Sequence, residues 1–154
     1  MQITGHTEKK SEYYDNIYAA GYDTLRYQPI YRGILEYLRQ LELPRVLEIG
    51  CGVGDMGKMI VDNNIPYRGF DFSAMAIKCS REICPEGNFW VGDAYNRANY
   101  LPPDYNVAIA LEVLEHTDDL RVIENIPAGV HLVASVPDFD DIAHLRVYQD
   151  PQRD

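Results

Sequence analysis

One run of residues constrains this chain more than any other: Val46-Leu47-Glu48-Ile49-Gly50-Cys51-Gly52-Val53-Gly54-Asp55. Apolar, β-branched residues suited to a buried strand run into glycines at every second position, and a helix-like pattern follows. Glycine tolerates positive φ and lets a backbone approach another molecule closely. The order therefore reads as a strand, a tight turn and a helix start. A dinucleotide fingerprint spaces its glycines as GxGxxG. The third glycine of that pattern would fall at position 55, which is Asp55. Here the spacing is GxGxG, with Glu48 two residues before Gly50. The plain alternative is a tight strand-to-helix turn that holds no ligand.

The pattern continues downstream of this loop. Strands are expected at residues 45–49, 67–71, 88–91, 107–111 and 131–136. Helices are expected at 55–63, at 73–84 with Ser73 as its N-cap, and at 118–125. Residues 94–103 read as irregular or weakly helical. Strands that alternate with helices, some continuously apolar, imply an α/β fold: a Rossmann-like parallel sheet with helices on both faces. Ligands of such sheets bind at the carboxyl ends of the strands.

Upstream, residues 1–12 read as a loose polar arm. The next stretch is rich in tyrosine: Tyr13, Tyr14, Tyr18, Tyr22, Tyr27, Tyr31 and Tyr37. Its second half places Tyr27, Ile30, Tyr31, Ile34, Leu35, Leu38 and Leu41 on one helical face. Pro29 fits the first turn and Pro44 marks the exit. The expected organisation is an N-terminal arm and helical lid over 1–44 and a ligand-binding core over 45–154, one domain overall.

Charge narrows the partners. The formal net charge of −10 opposes phosphate binding, which is driven by Lys, Arg and counterion release. A nucleic-acid substrate is therefore disfavoured. No apolar run approaches the roughly 18 residues that a membrane helix needs, and the N-terminus lacks a signal-peptide core. Three cysteines, Cys51, Cys79 and Cys84, form no disulfide framework and fit reduced thiols. A cytoplasmic location is expected.

The glycine loop resembles motif I of the class I S-adenosylmethionine (SAM)-dependent methyltransferases. The resemblance covers roughly residues 45–137. It implies that Glu48 sits near the methionyl end of the cofactor, with Gly50, Cys51, Gly52 and Gly54 against it. Asp71 ends the second strand, where a carboxylate accepts hydrogen bonds from ribose hydroxyls. The surrounding Gly69-Phe70-Asp71-Phe72-Ser73-Ala74-Met75 resembles the second motif, with Phe72 beside the cofactor and Met75 against the adenine. Asp93 and Ala94, after the third strand, would receive the adenine amino group and a ring nitrogen. Tyr14 and Tyr18 are the lid candidates, with aromatic core packing as the alternative.

The fourth strand ends in Glu112-Val113-Leu114-Glu115-His116. If the chain turns helical there, Glu112, Glu115 and His116 share one face. Two carboxylates and an imidazole so placed could hold a divalent cation. Without a metal, His116 could act as a general base oriented by a carboxylate. The string resembles the ubiquinone-pathway O-methyltransferases and the small-RNA 2′-O-methyltransferases. The second group implies a magnesium site completed by a histidine after the fifth strand, here His144. Mg2+ is the first candidate because oxygen ligands dominate the expected set. Similar strings also occur in class I methyltransferases with no known metal. His131 begins the fifth strand, at the wrong end of the sheet.

A full class I sheet has seven strands and ends in an antiparallel hairpin. The sequence offers only a loop and a short helix near 145–148 in that place, so the hairpin is expected to be missing. The fifth strand would then be an open edge, paired across a homodimer or covered by the C-terminal segment. The function these features imply is methyl transfer from SAM to a small-molecule acceptor, at a hydroxyl oxygen. The main alternative is a non-catalytic SAM-binding or partner-binding module. RNA termini as acceptors and nicotinamide chemistry are the weaker readings.

Overall fold

Strand Val46–Ile49 (β2) is buried at all four positions, which requires cover on both faces and a neighbour on each side. The computed structural model, which describes residues 2–148, gives it both. Five parallel strands run in the order β4-β3-β2-β5-β6. The flanking strands are β3 (Tyr67–Asp71), β4 (Asn88–Val91), β5 (Val107–Leu111) and β6 (His131–Ser135). Glu48 pairs in register with Gly69 on one side and Ile109 on the other. From β2 the chain steps outward to β3 and β4, then returns to β5 and β6. The strand order therefore reverses between β2 and β5, where open α/β sheets leave a crevice.

Period-two alternation divides the strands between two cores. Leu47 and Ile49 join Ala108, Ala110, Phe70, Leu114 and Val122 on one face. Val46 joins Val107, Ile109, Met56, Ile60 and Leu38 on the other. Helices α2 (Gln28–Gln40) and α3 (Asp55–Asp62) supply the second face. In α2 the buried residues are Tyr31, Ile34, Leu35 and Leu38, at the three- and four-residue steps read from the sequence. Pro29 occupies its first turn and Leu41 leaves in extended backbone. Helix α4 (Ala74–Ile83) starts at Ser73, whose hydroxyl accepts from the Ala76 N–H at 3.1 Å. Helix α5 (Asp119–Ile123) carries Val122 into the first core. Residues 97–100 form a single 3-10 turn, in keeping with the weak helical signal there.

Two expectations about the chain ends are corrected. The first residues are not a loose arm. Gln2–Ile3 (β1) pairs antiparallel with Arg146–Val147 (β7), and helix α1 runs over Ser11–Ala19. The short helix expected near 145–148 is this strand instead. The Thr4 hydroxyl donates to the His144 carbonyl at 2.6 Å, and the Thr4 N–H donates to the Leu145 carbonyl at 3.0 Å. Such short strands gain stability only from each other, so neither announces itself by periodicity. The C-terminal part of the expected core, residues 149–154, lies outside the described residues. Among the described residues, nothing after β6 adds a strand to the main sheet, and β6 is its edge. No helix among them is long and apolar enough to cross a membrane.

Candidate active site

The glycine loop closes the carboxyl end of β2. Gly54 has φ +89°, and a Cβ there would stand 2.6 Å from Ser80 Cβ and 2.9 Å from Ser80 Cα. Only glycine allows both this left-handed backbone and the close approach of α4. Gly52, at φ +52°, turns its N–H onto the Asp71 carboxylate at 3.0 Å. The other Asp71 oxygen accepts from the Ser73 N–H at 2.9 Å. One buried carboxylate thus ties the turn after β2 to the turn after β3. Burial raises its pKa to about 6, outweighing the N–H donors that favour the charged form. Glu48 is also buried and accepts from the Tyr67 hydroxyl at 2.6 Å. Its burial raises the pKa to about 8 against that hydrogen bond.

These turns form one wall of a cavity at the strand reversal. Glu48, Gly50, Cys51, Gly52, Gly54, Asp71, Phe72, Asp93, Ala94, Tyr14 and Tyr18 all line it. Met75 does not line it. The Met75 N–H instead donates to Asp15 of α1. The roof comes from the N-terminal segment: Tyr14 lies 5.2 Å from Phe72 and 5.8 Å from His116 between ring centroids. Its hydroxyl is buried without a hydrogen-bond partner among the described residues, and burial pushes its pKa up.

Sequence reasoning missed Tyr22, Tyr27, Asp55 and Tyr95, which also line the cavity. Tyr95 accepts from the Asp118 N–H and donates to Glu8, both at 2.8 Å. Thr24 donates to Asp55 at 2.5 Å. Asp15 accepts from Ser73 and the Met75 N–H. Residues 8–24 therefore form a strap fastened across the cavity at three places. The tyrosine-rich composition pointed to this segment, but its fastenings are tertiary.

The helix expected from Glu112 is absent, which changes the cluster it carried. Glu112 has a left-handed backbone, φ +55°, and only Leu114–His116 turns, as a 3-10 helix. Glu112 consequently faces the cavity and accepts from the Ser135 hydroxyl at 2.8 Å. Glu115 turns away into the protein and is 1% exposed. Among the described residues no other donates a hydrogen bond to either of its oxygens, and burial raises its pKa to about 8. His116 Nε2 stands 3.6 Å from Glu115 Oε1. His116 lines the cavity, and its burial lowers its pKa. Its Nδ1 donates to the Ala143 carbonyl at 2.9 Å, since a carbonyl can only accept. His144 donates likewise from Nδ1 to the Phe139 carbonyl at 3.1 Å. The two imidazole centroids are 4.9 Å apart. One ligand atom from each of Glu115, His116 and His144 lies within 4.8 Å of the others. Glu112 is outside that group. Two imidazoles and one carboxylate do not fit Mg2+, which demands oxygen ligands in an octahedron. His131 meets Tyr37 at the far end of the sheet, at 2.7 Å.

A parallel sheet that reverses over a glycine loop, with an acid ending the next strand, defines a class of protein. Residues 47–128 match the family described as Methyltransferase domain, and the chain belongs to that family, among the class I SAM-dependent methyltransferases. The particular relatives differ in what they act on. A trans-aconitate 2-methyltransferase from Afipia carboxidovorans is 28% identical over 127 residues, which cover 77% of this chain and 48% of that protein. The chain thus spans about half the length of this curated relative. Magnesium protoporphyrin IX methyltransferase from Synechocystis PCC 6803, solved with bound SAH, superposes with a TM-score of 0.60 at 21% identity. That match covers 70% of this chain and 54% of the enzyme. The [4+2]-cyclase SpnF superposes with a TM-score of 0.66 at 19% identity, over 85% of this chain and 61% of its own. These likenesses establish the fold.

Proposed function

We propose that the chain binds SAM in this cavity and transfers its methyl group to a hydroxyl oxygen of a small-molecule acceptor. The observation that carries the reading is the convergence of the left-handed glycine turn, Asp71 and Asp93 on one cavity whose far wall holds Glu112 and His116. SAM, when bound, supplies a methyl carbon already activated by a sulfonium. The residues that would hold it are Glu48, Gly50, Cys51, Gly52, Gly54, Asp71, Phe72, Asp93 and Ala94, under Tyr14.

The chain's own contribution is alignment, water exclusion and proton removal. A hydroxyl is a weak nucleophile until it loses its proton. His116 is kept neutral by its lowered pKa, as a general base must be, and the Ala143 carbonyl fixes its tautomer so that Nε2 carries the lone pair. Glu115 Oε1 stands 3.6 Å from that nitrogen and favours the imidazolium only where Glu115 has itself lost its proton, above about pH 8. Glu112, held by Ser135, presents a carboxylate that can accept from the acceptor hydroxyl. The tyrosine roof shields the reacting atoms from solvent.

The test is calorimetric titration of S-adenosylhomocysteine, followed by turnover with mixed phenolic acceptors. Wild type should bind and Asp71→Ala should not. His116→Gln should still bind but turn over about 10²–10⁴-fold more slowly. Failure of the wild type to bind would sink the proposal. A second reading, a SAM-binding module without turnover, draws on the lack of further sheet strands after β6 among the described residues. Tight binding with no methylated product from any acceptor would select it.

A further inference from the structure

On the methyl-transfer reading, on which this rests, we infer that the acceptor is a hydroxyl compound carrying a protonated amine, and that the cavity refuses acceptors bearing a carboxylate or a phosphate.

The charge of the lining excludes the anions. The carboxylates of Glu8, Glu48, Asp55, Asp71, Asp93 and Glu112 all line the cavity. Among the described residues no arginine lines it, and Lys9 is its one lysine. Burial holds His116 toward its neutral form. Glu48 keeps its proton at neutral pH, because burial raises its pKa to about 8, and the other carboxylates set the sign. SAM, when bound, brings a sulfonium and an ammonium against a carboxylate, which is too little to reverse it. An anionic acceptor would lose its hydration among like charges, with no guanidinium to pair it.

One wall favours the amine. Tyr22, Tyr27 and Tyr31 line the cavity as a stack, with ring centroids 6.5 Å apart in the first pair and 6.2 Å in the second. The faces of such rings attract cations. The exposed guanidinium of Arg26, which is outside the lining, already sits 4.7 Å from the Tyr27 centroid and 5.9 Å from that of Tyr22. Burial, first, raises the pKa of Tyr31 and Tyr27, and the charges of Asp55 on Tyr31 and Glu112 on Tyr27 add to it. Each carboxylate is therefore near a ring of the stack. Both are half-buried, and among the described residues neither has an ion-pair partner. In the methyl-transfer reading Asp71 and Asp93 serve SAM, which leaves Asp55 and Glu112 toward the acceptor. Half-buried carboxylates beside aromatic faces, with no cation of the chain to pair them, suit an ammonium group on the ligand.

The test is calorimetric titration of three phenols of matched shape into the chain loaded with S-adenosylhomocysteine at neutral pH. Tyramine carries an ammonium, 4-propylphenol no charge and 4-hydroxyphenylacetate a carboxylate. Tyramine should bind most tightly, and 4-hydroxyphenylacetate at least about tenfold more weakly than tyramine. Asp55→Asn keeps an acceptor for the Thr24 hydroxyl and removes the charge. It should lower the preference for tyramine over 4-propylphenol by about three- to tenfold, and Glu112→Gln should act in the same direction. Failure of S-adenosylhomocysteine to bind would remove the methyl-transfer reading and this inference with it. With S-adenosylhomocysteine bound, three results would overturn the inference alone: no binding of tyramine, either other phenol binding as tightly as tyramine, or a tyramine preference unchanged in both variants.

Discussion

Glu48 shows what burial does to one carboxylate. Its pKa is raised from 4.5 to about 8, so the folded state holds its proton over a range where the unfolded chain has lost it. The stability it confers is present below pH 4.5 and is lost as pH rises through about 8, at about 1.4 kcal/mol per pH unit between those values. Glu48→Gln keeps an acceptor for the Tyr67 hydroxyl and removes the titration. Denaturant unfolding from pH 5 to pH 8 should therefore show a falling stability in wild type and a flatter profile in the variant. At this scale the sequence was partly legible. Glu48 and Asp71 could be placed by their spacing from the glycines, because strand ends fix where such side chains emerge. Glu112 could not, because one left-handed residue after β5 separates it from Glu115 and no periodicity encodes that.

At the scale of elements, the strands and helices between residues 46 and 135 were readable because each buries a face with its own period. Ser73 is the clearest boundary. It caps α4 and also donates to Asp15 of the strap. Ser73→Ala should lower stability by about 1–2 kcal/mol in denaturant unfolding, toward the upper end of cap effects because two hydrogen bonds are lost. A loss below about 0.5 kcal/mol would mean that the strap contact contributes nothing. The β1–β7 pair was not readable. Two-residue strands carry no pattern of their own, and their partners lie at opposite ends of the described chain. The strap fastenings were hidden for the same reason: Thr24 and Asp55, or Glu8 and Tyr95, meet only after the sheet has formed.

At the scale of the molecule, the edge strand β6 is where association is expected. Arg146–Val147 pairs with β1, and among the described residues no strand pairs with the outer edge of β6, on which Leu132 is 38% exposed. An uncovered parallel edge is a template for another strand. Light scattering on the purified chain should give the mass of a dimer, and Leu132→Lys should shift it to the monomer. A monomeric wild type would refute pairing across this edge.

The strap over the cavity carries a kinetic consequence. Its three fastenings, at Asp55, Ser73 and Tyr95, hold residues 8–24 over residues that line the cavity. Were ligand exchange to require those hydrogen bonds to open, the frequency of opening would set a ceiling that no increase in ligand concentration could exceed. Residence time would then depend on residues 8–24, far in sequence from the glycine turn.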